Sequence, residues 1–301
     1  MADLPIPRAE TAPSRPGVRT PLSPGLRAAL PVLALLALGF LAPLLTVGAF
    51  SVSPEKSFTA FQSFTLENYQ AIFAPGNTVW TSFLWSLILA AAVVAILLVV
   101  SYPIAFGLVH VFGKWAGFVS VLFVFPLFVS ENVRLYGWVL FFIKNGVLDG
   151  SLKWLGLGTA PEVLFTPGIT LFGMVYVYLP FMLFPMVLGL SMIPKDAVDA
   201  ARDLGAGRLT IWREIELPLA MPGILIGMLL TFVLAAGAVA EAKILGGQSV
   251  ITIAQDIEVA FTYAQNWPLG AALAMILVAI IAVLALGVMR RLDLDRILGR
   301  R

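Results

Sequence analysis

Six long apolar segments, each able to cross a lipid bilayer as a helix, occupy about half of the sequence. A transmembrane helix needs about 20 mostly apolar residues. Unbroken apolarity of this length, without alternation of polar and apolar positions, favours helices over the strands of a barrel. The predicted spans are 30–50, 82–109, 115–142, 168–193, 219–240 and 268–289. The sequence therefore predicts an all-α, polytopic membrane protein with six transmembrane helices.

The low charge content of the chain agrees with a membrane location. Charged residues make up 12% of the 301 residues, about half the share of about 25% that is typical of soluble domains. The chain has no cysteine and one histidine, His110, which excludes disulfides, thiolate metal sites and multi-histidine centres. No phosphate-binding loop of the GxxxxGK[ST] type occurs. We therefore assign no catalytic residue, no metal site and no bound cofactor to this chain.

The basic residues predict the orientation in the membrane. With a cytoplasmic N-terminus, 14 of the 19 Lys and Arg residues fall on the cytoplasmic side and Arg134 falls within a span. The basic residues left outside are Lys56, Lys144, Lys153 and Lys243. The positive-inside rule then predicts that both termini are cytoplasmic. Residues 1–28 are expected to form a disordered cytoplasmic tail, residues 29–293 the transmembrane domain, and residues 294–301 a basic cytoplasmic C-terminus.

A charged, amphipathic loop, residues 194–218, connects the fourth and fifth spans. Its pattern predicts two short helices, 195–204 and 208–215, with a glycine turn between them and a Leu-Pro pair that ends the second. The second helix is expected to present Ile211, Trp212 and Ile215 on its surface. Adjacent alanines allow a partner to approach closely, and the charges beside them give register. An ordinary solvated loop is the alternative. The residues assigned to a partner-binding surface are Asp199, Ala200, Ala201, Arg202, Asp203, Leu204, Gly205, Arg208, Trp212, Ile215, Leu217 and Pro218.

This loop resembles the Glu-Ala-Ala loop of membrane subunits of ATP-binding-cassette (ABC) importers. Asp199 stands where that family usually has Glu, which keeps the carboxylate but shortens its reach. Other segments resemble the spermidine/putrescine-type permeases of this family, so the resemblance extends from about residue 30 to the end of the chain. Those segments are 65–69, 101–106, 132–138, 145–146 and 264–272.

The resemblance implies a type I ABC importer permease fold in a bacterial plasma (inner) membrane. It implies two ATPase subunits that bind ATP and Mg, with the 194–218 loop as the coupling loop, and an extracytoplasmic substrate-binding protein. It also implies pairing with a second related permease, with a heterodimer favoured over a homodimer. Membrane lipid is the remaining expected partner, and nucleic acid is not one. ATP-driven alternating access would then move the solute.

The resemblance also suggests a solute. A polyamine such as spermidine or putrescine is the first expectation; aminophosphonate, iron, thiamine or another organic cation are the alternatives. A passive channel subunit would lack an ATPase-docking loop. An integral membrane enzyme would need clustered acids, histidines or a serine–base pair at one membrane face, and the sequence has none. The chain is therefore expected to be a transport subunit and not an enzyme.

Ionisable and aromatic residues within the spans are the candidates for a substrate path. A charged residue at the centre of a span costs about 2.5–3.5 kcal/mol on insertion scales, and such residues usually face a bundle interior or water. Glu131 and Arg134, three positions apart, either pair with each other or line the path. The aromatic residues either accept a cation or pack at the membrane interface. The candidate path residues are Glu131, Arg134, Tyr136, Trp138, Tyr178 and Glu241.

Overall fold

A computed structural model describes residues 24–59 and 63–289, and the regular secondary structure of these residues is entirely helical. Five helical segments are long and apolar enough to cross a membrane, and a bent pair of helices makes a sixth crossing when it is counted as one span. The prediction of six transmembrane helices is therefore confirmed. The C-terminus 294–301 lies outside the described residues, as does most of the predicted tail 1–28; the first helix begins inside that tail, at Pro24.

Thirteen α-helices follow one another in the described residues. The long ones are α1 (Pro24–Ser51), α3 (Val79–Phe106), α7 (Pro167–Ser191), α10 (Leu217–Ala236) and α13 (Trp267–Met289). The short ones are α2 (Glu67–Ile72), α4 (Ala116–Val124), α5 (Glu131–Phe142), α6 (Val147–Trp154), α8 (Lys195–Asp203), α9 (Arg208–Ile211), α11 (Ala240–Ile244) and α12 (Ile253–Thr262). Two π-helical turns, Gly107–Val111 and Trp212–Glu216, extend α3 and join α9 to α10.

Most of α1 belongs to a compact unit of its own, which ends at Thr46. Its apolar side chains, among them Leu35, Leu38 and Phe40, are exposed. A helix that is apolar on all sides and carries no internal charge is stable in hydrocarbon, where its backbone hydrogen bonds are satisfied within the helix. α1 is therefore suited to a surrounding of lipid.

Helices α3, α7 and α10 form the core of the second unit, which begins at Val47. α7 and α10 cross at two glycines, with no room for side chains between the backbones. A β-carbon on Gly189 would lie 2.9 Å from the carbonyl oxygen of Ala220, and one on Gly223 would lie 2.7 Å from the Cα of Gly189. Small residues at helix crossings in membranes allow this approach, and van der Waals packing then stabilises the pair.

The third crossing consists of two helical segments, Gly113–Phe128 and Glu131–Trp154, at an angle of 97°. The backbone of Val129 and Ser130 is extended, with ψ angles of 133° and 136°. The predicted span 115–142 is therefore two helices and not one continuous helix. The second segment begins with an acidic residue, which the helix dipole favours in a first turn. The bend brings that residue to the start of α5.

Asp149 in α6 holds together the segment between α5 and α7. Its carboxylate accepts hydrogen bonds from Nζ of Lys153 at 2.7 Å, the backbone N–H of Ala160 at 2.9 Å and that of Asn145 at 3.0 Å. One carboxylate thus joins the turn before α6, the helix itself and the chain after it.

Candidate functional site

The first part of the loop 194–218 is the helix α8, which ends in a glycine turn. The N–H of Gly205 donates to the carbonyl of Arg202 at 2.9 Å, and the N–H of Ala206 donates to that of Ala201 at 3.0 Å. These two bonds, with Gly205 at a φ of +81°, form a Schellman motif, in which the left-handed position favours glycine. The structure thus confirms the predicted helix 195–204 to within one residue. Gly207, by contrast, has an ordinary φ of −69°.

The surface of α8 and its turn carries exposed apolar side chains. Leu204 is 89% exposed and Leu209 is 74% exposed. Beside them, Nη1 of Arg202 lies 3.2 Å from Oδ1 of Asp199, in an ion pair that is itself exposed. Large apolar side chains exposed beside charges are typical of an interaction surface. The roles assigned to Asp199, Arg202 and Leu204 stay predictions.

One face of the segment that follows this turn packs inside the protein. Ile211 is buried, and the indole N–H of Trp212 donates to the hydroxyl of Tyr102 in α3 at 2.6 Å. Their rings meet edge to face, with centroids 6.2 Å apart. The expectation that the second helix presents Ile211 on the loop surface is therefore wrong, and Trp212 connects the loop to α3.

The predicted end of the second helix at Leu217-Pro218 is also wrong. The chain is helical without interruption from Arg208 to Ala236, and Leu217 and Pro218 open α10 within that run. Proline normally breaks a helix because it lacks an N–H and its ring contacts the carbonyl four residues before. Here the wider π-helical turn Trp212–Glu216 directly precedes it, and such a turn shifts the hydrogen-bond register.

Four of the six candidate path residues line one polar cavity of about 740 Å³. The cavity lies between the start of α5, the middle of α7 and the segment that leads from α10 into α11. The four residues are Glu131, Arg134, Tyr178 and Glu241. The bend before α5 and the short break after α10 therefore bring three charged groups to one place in the bundle.

Glu241 is fully buried, with 0% of its surface exposed. Neither of its carboxylate oxygens has a hydrogen-bond partner of ordinary geometry, although the Tyr178 hydroxyl lies beside the carboxylate. The next charged residue, Lys243, instead pairs with Glu258, its Nζ lying 2.9 Å from Oε1, and this hydrogen bond raises the pKa of Lys243. Lys243 therefore does not neutralise Glu241.

Arg134 enters the same cavity and is also incompletely bonded. Its Nε and Nη1 are buried without hydrogen-bond partners. Within the described part of the chain, no ion pair joins Arg134 to Glu131 or to Glu241, so the mutual Glu131–Arg134 pair is not formed. The guanidinium instead lies over the ring of Tyr176, with Cζ 5.7 Å from the centroid, a distance that permits a cation–π interaction.

Tyr136 and Trp138 lie outside the cavity. Tyr136 is 58% exposed. Trp138 packs in an aromatic cluster, stacked on Phe142 and edge to face with Phe172 and Tyr176. Trp138 lies four positions from Arg134 on α5, but this spacing alone does not place its ring in the cavity. The structure therefore assigns Trp138 to packing, and neither residue to the cavity wall.

The sequence analysis missed two contacts. The bond between Trp212 and Tyr102 joins distant segments, although the segment 101–106 was one of those that marked the resemblance. The contact between Arg134 and Tyr176 lies in the first turn after the bend at 129–130, where the polar run Ser130-Glu131-Asn132 was the available signal. Across the described residues, no group of three or more His, Asp or Glu side chains is arranged to hold a metal ion.

Comparison with known proteins agrees with this arrangement. Residues 111–296 match the family described as binding-protein-dependent transport system inner membrane component. The chain is 32% identical over 248 residues to the spermidine/putrescine transport system permease protein PotB of Escherichia coli (strain K12), covering 82% of this chain and 90% of that protein. It is 33% identical over 239 residues to PotB of Haemophilus influenzae, covering 78% and 82%.

Solved structures share the fold. A chain of a bacterial ABC transporter involved in the import of the acidic polysaccharide alginate matches with a TM-score of 0.68 and 17% identity, over 89% of this chain and 96% of that one. The alginate transporter in complex with an alginate pentasaccharide-bound periplasmic protein gives a TM-score of 0.65 and 18% identity, over 87% and 92%. The fold is therefore that of a type I ABC importer permease.

These findings identify the class of protein as a permease subunit of an importer, a transport subunit and not an enzyme. It is a multi-pass protein of the inner membrane and works in a binding-protein-dependent system. The chain belongs to the family of binding-protein-dependent transport system inner membrane components.

Proposed function

We propose that this permease subunit forms part of the path by which an ATP-driven importer moves a polyamine, spermidine or putrescine. The observation that carries this proposal is the polar cavity, where Glu131 and Glu241 outnumber the single cation Arg134 and a tyrosine, Tyr178, forms part of the wall. Carboxylates and aromatic faces are the groups that bind ammonium. The relatives described as spermidine/putrescine permeases support the same solute class.

The loop 194–218 is, in this proposal, the docking element for one of two ATPase subunits, which bind ATP and Mg. The exposed Leu204 and Leu209, beside the Asp199–Arg202 pair, offer an apolar surface with charges at its edge. The apolar centre of such a surface is buried when a partner binds, and the charges at its edge fix the position of that partner. The excess of basic residues on this side supports a cytoplasmic location for the loop and both termini.

A second, related permease completes the path in this proposal, and an extracytoplasmic binding protein delivers the solute. An apolar groove of about 730 Å³ supports such pairing: it runs along α7 and α10 and shares Leu127 and Phe181 with the polar cavity. A partner seated in this groove would close the open side of the cavity. A different, related chain is favoured over a second copy of this one.

The test is ATP-dependent uptake of radiolabelled spermidine by proteoliposomes that contain the complete importer and its binding protein. We expect uptake only when ATP is present on the side of the membrane where the ATPases lie. Unlabelled putrescine should inhibit this uptake. Uptake without ATP would support a passive channel, and absence of spermidine uptake from an importer that hydrolyses ATP would refute the polyamine proposal.

A zwitterionic solute such as an aminophosphonate is the second candidate. One observation favours it: Arg134, with two unpaired N–H donors, lines the same cavity as the unpaired Glu241, and a guanidinium binds phosphonate oxygens well. In the same assay, strong inhibition by 2-aminoethylphosphonate without inhibition by putrescine would favour this solute.

A further inference from the structure

The short helix α11, which carries Glu241, packs closely against the first turns of α7. Two glycines make this approach possible, Gly173 in α7 and Gly246 just after α11. A β-carbon on Gly173 would clash with Cδ1 of Leu245, and one on Gly246 would clash with Oγ1 of Thr170. Leu245 and Thr170 are both fully buried, so neither side chain has free space into which it could turn.

A backbone hydrogen bond and a strained residue hold the end of α11 in this place. The N–H of Phe165, two residues before α7, donates to the carbonyl of Leu245 at 2.9 Å. Phe165 has a φ of +62°, a left-handed conformation that is costly for a bulky residue. Its ring lies against Gly247, where a β-carbon would clash with it. Such strain persists only where the surrounding contacts fix it, so the position of α11 on α7 is closely determined.

Gly173 lies where the elements that carry the charges of the polar cavity meet. A β-carbon at this position would lie 3.7 Å from the Cβ of Glu241 and 3.5 Å from Cδ2 of Leu135 in α5. α5 carries the other two charged residues of the cavity and packs against α11. α7 also carries Tyr178, whose hydroxyl lies beside the Glu241 carboxylate. A side chain at Gly173 would therefore shift Glu241 relative to both.

We propose that Gly173 is a positioning residue for the solute: it sets the place of α11 on α7 and thereby the position of the Glu241 carboxylate in the cavity. This rests on the proposed function, because it takes Glu241 to bind an ammonium group. Glu241 is fully buried, and its oxygens lack partners of ordinary geometry within the described residues. A charge-assisted hydrogen bond depends on distance and angle, and a displacement of about 1 Å is enough to weaken such a site.

The test is the amount of spermidine moved per ATP hydrolysed by the complete importer at saturating binding protein. Because both activities come from the same assembled complexes, this ratio does not depend on how much chain folds and inserts. The variants are Gly173→Ala, Gly173→Val, and Gly173→Val combined with Leu245→Ala or with Glu241→Gln. Gly270→Ala is the matched control: its β-carbon would lie 2.9 Å from the ring of Phe261, and neither α12 nor α13 lines the polar cavity.

A graded loss is expected. Gly173→Ala should lower the ratio about 3-fold and Gly173→Val at least about 10-fold, because the larger side chain displaces α11 further. ATP hydrolysis should continue, since Gly173 lies near the start of α7 and the loop 194–218 follows its end. Leu245→Ala should restore most of the ratio to Gly173→Val, because it removes as many carbon atoms as the valine adds.

Two further results are expected if Gly173 acts through Glu241. In the Glu241→Gln background, where the ratio is already low, Gly173→Val should lower it little further, because the carboxylate that Gly173 positions is gone. Gly270→Ala should lower the thermal stability, as overpacking does, and leave the ratio unchanged.

The outcomes separate this inference from the proposed function. If the unmodified importer moves spermidine and Gly173→Val loses stability but keeps the normal ratio, Gly173 only packs the fold and the proposal is refuted. An equal loss of the ratio in Gly270→Ala would also refute it, because any overpacked glycine would then have the same effect. If Gly173→Val does not assemble, Gly173→Ala and the combination with Leu245→Ala decide in the same way. If the unmodified importer hydrolyses ATP but moves no spermidine, the polyamine proposal itself fails, and this inference fails with it.

Discussion

The loop 194–218 and the polar cavity satisfy their polar groups in opposite ways. In the loop, the turn at Gly205 is closed by bonds between neighbours in sequence, and the Asp199–Arg202 pair is formed three residues apart. In the cavity, Arg134 and Glu241 come from distant helices and remain unpaired. The Gly205 turn is thus closed within the loop, whereas the cavity keeps polar groups that are not paired within the described residues. Under the proposed function, a docking element needs a fixed shape, and a transit site needs groups free to bind the solute.

The largest effect is expected where the shape of the loop is broken. Gly205→Pro forces a φ near −65° on a position at +81° and removes the N–H that bonds to Arg202. We expect ATP-dependent uptake to fall more than about 10-fold, because a misplaced docking element loses much of its rate advantage. The measurement is uptake per amount of chain inserted in the membrane.

Gly207→Pro is the matched control for this change. Gly207 already has a φ of −69°, which the proline ring accepts, and its N–H makes none of the backbone bonds in this turn. Uptake close to normal is expected. Normal uptake by Gly205→Pro would show that the loop shape is irrelevant to transport and would end the contrast between loop and cavity.

The crossing of α7 and α10 supports both regions and should tolerate little change. Gly223→Ala places a β-carbon 2.7 Å from the Cα of Gly189, so the helices must separate. We expect a loss of about 1–3 kcal/mol of stability, as for other overpacked cores, seen as earlier thermal unfolding in detergent. Gly137→Ala, with open space around the new carbon, should be neutral or stabilising by up to about 1 kcal/mol. Equal unfolding temperatures for both variants would contradict the close crossing.

The bond between Trp212 and Tyr102 connects the loop to α3, and its contribution is measurable in a double-mutant cycle. Trp212→Phe and Tyr102→Phe each remove one partner of a 2.6 Å hydrogen bond and keep an aromatic ring. We expect a coupling of about 0.5–1.5 kcal/mol in the free energy of unfolding. Strictly additive single effects would mean that the loop is independent of α3.

The smallest effect is expected at the exposed Asp199–Arg202 pair. Asp199→Asn should change the free energy of unfolding by less than about 1 kcal/mol, and less at high salt, because exposed ion pairs contribute little. Thermal unfolding in low and high salt measures this. A large, salt-independent loss of stability would show that the pair supports the fold of the loop and is not a weak surface contact.

The parts of the fold that sequence reasoning predicted are those set by local chemistry. Apolar length located the spans, and a glycine after an amphipathic segment located the turn of α8. The bend at Val129 and Ser130 was missed because the polar run Ser130-Glu131-Asn132 was taken as part of one continuous span and not as the start of a new helix. The uninterrupted helix through Pro218 was missed because a neighbouring π-helical turn, which depends on tertiary packing, outweighs the usual effect of proline.

The candidate site divides in the same way. Glu131, Arg134, Tyr178 and Glu241 were selected because each is polar or aromatic within an apolar environment, and the structure brings them together. Whether Arg134 pairs with Glu131 was a question of side-chain direction, which spacing along one helix does not determine. Trp138 was included for its chemistry alone, and its neighbours Phe142 and Phe172 assign it to packing.

The unbroken helix from Arg208 to Ala236 connects the loop directly to the polar cavity. Its 29 residues make a rod about 44 Å long at about 1.5 Å per residue, with one end in the loop and the other leading into the wall of the cavity. Gly223, where α7 crosses, lies near its midpoint and is the natural pivot for a tilt of the helix. A tilt of about 5° about that point would move each end by about 2 Å, in opposite directions.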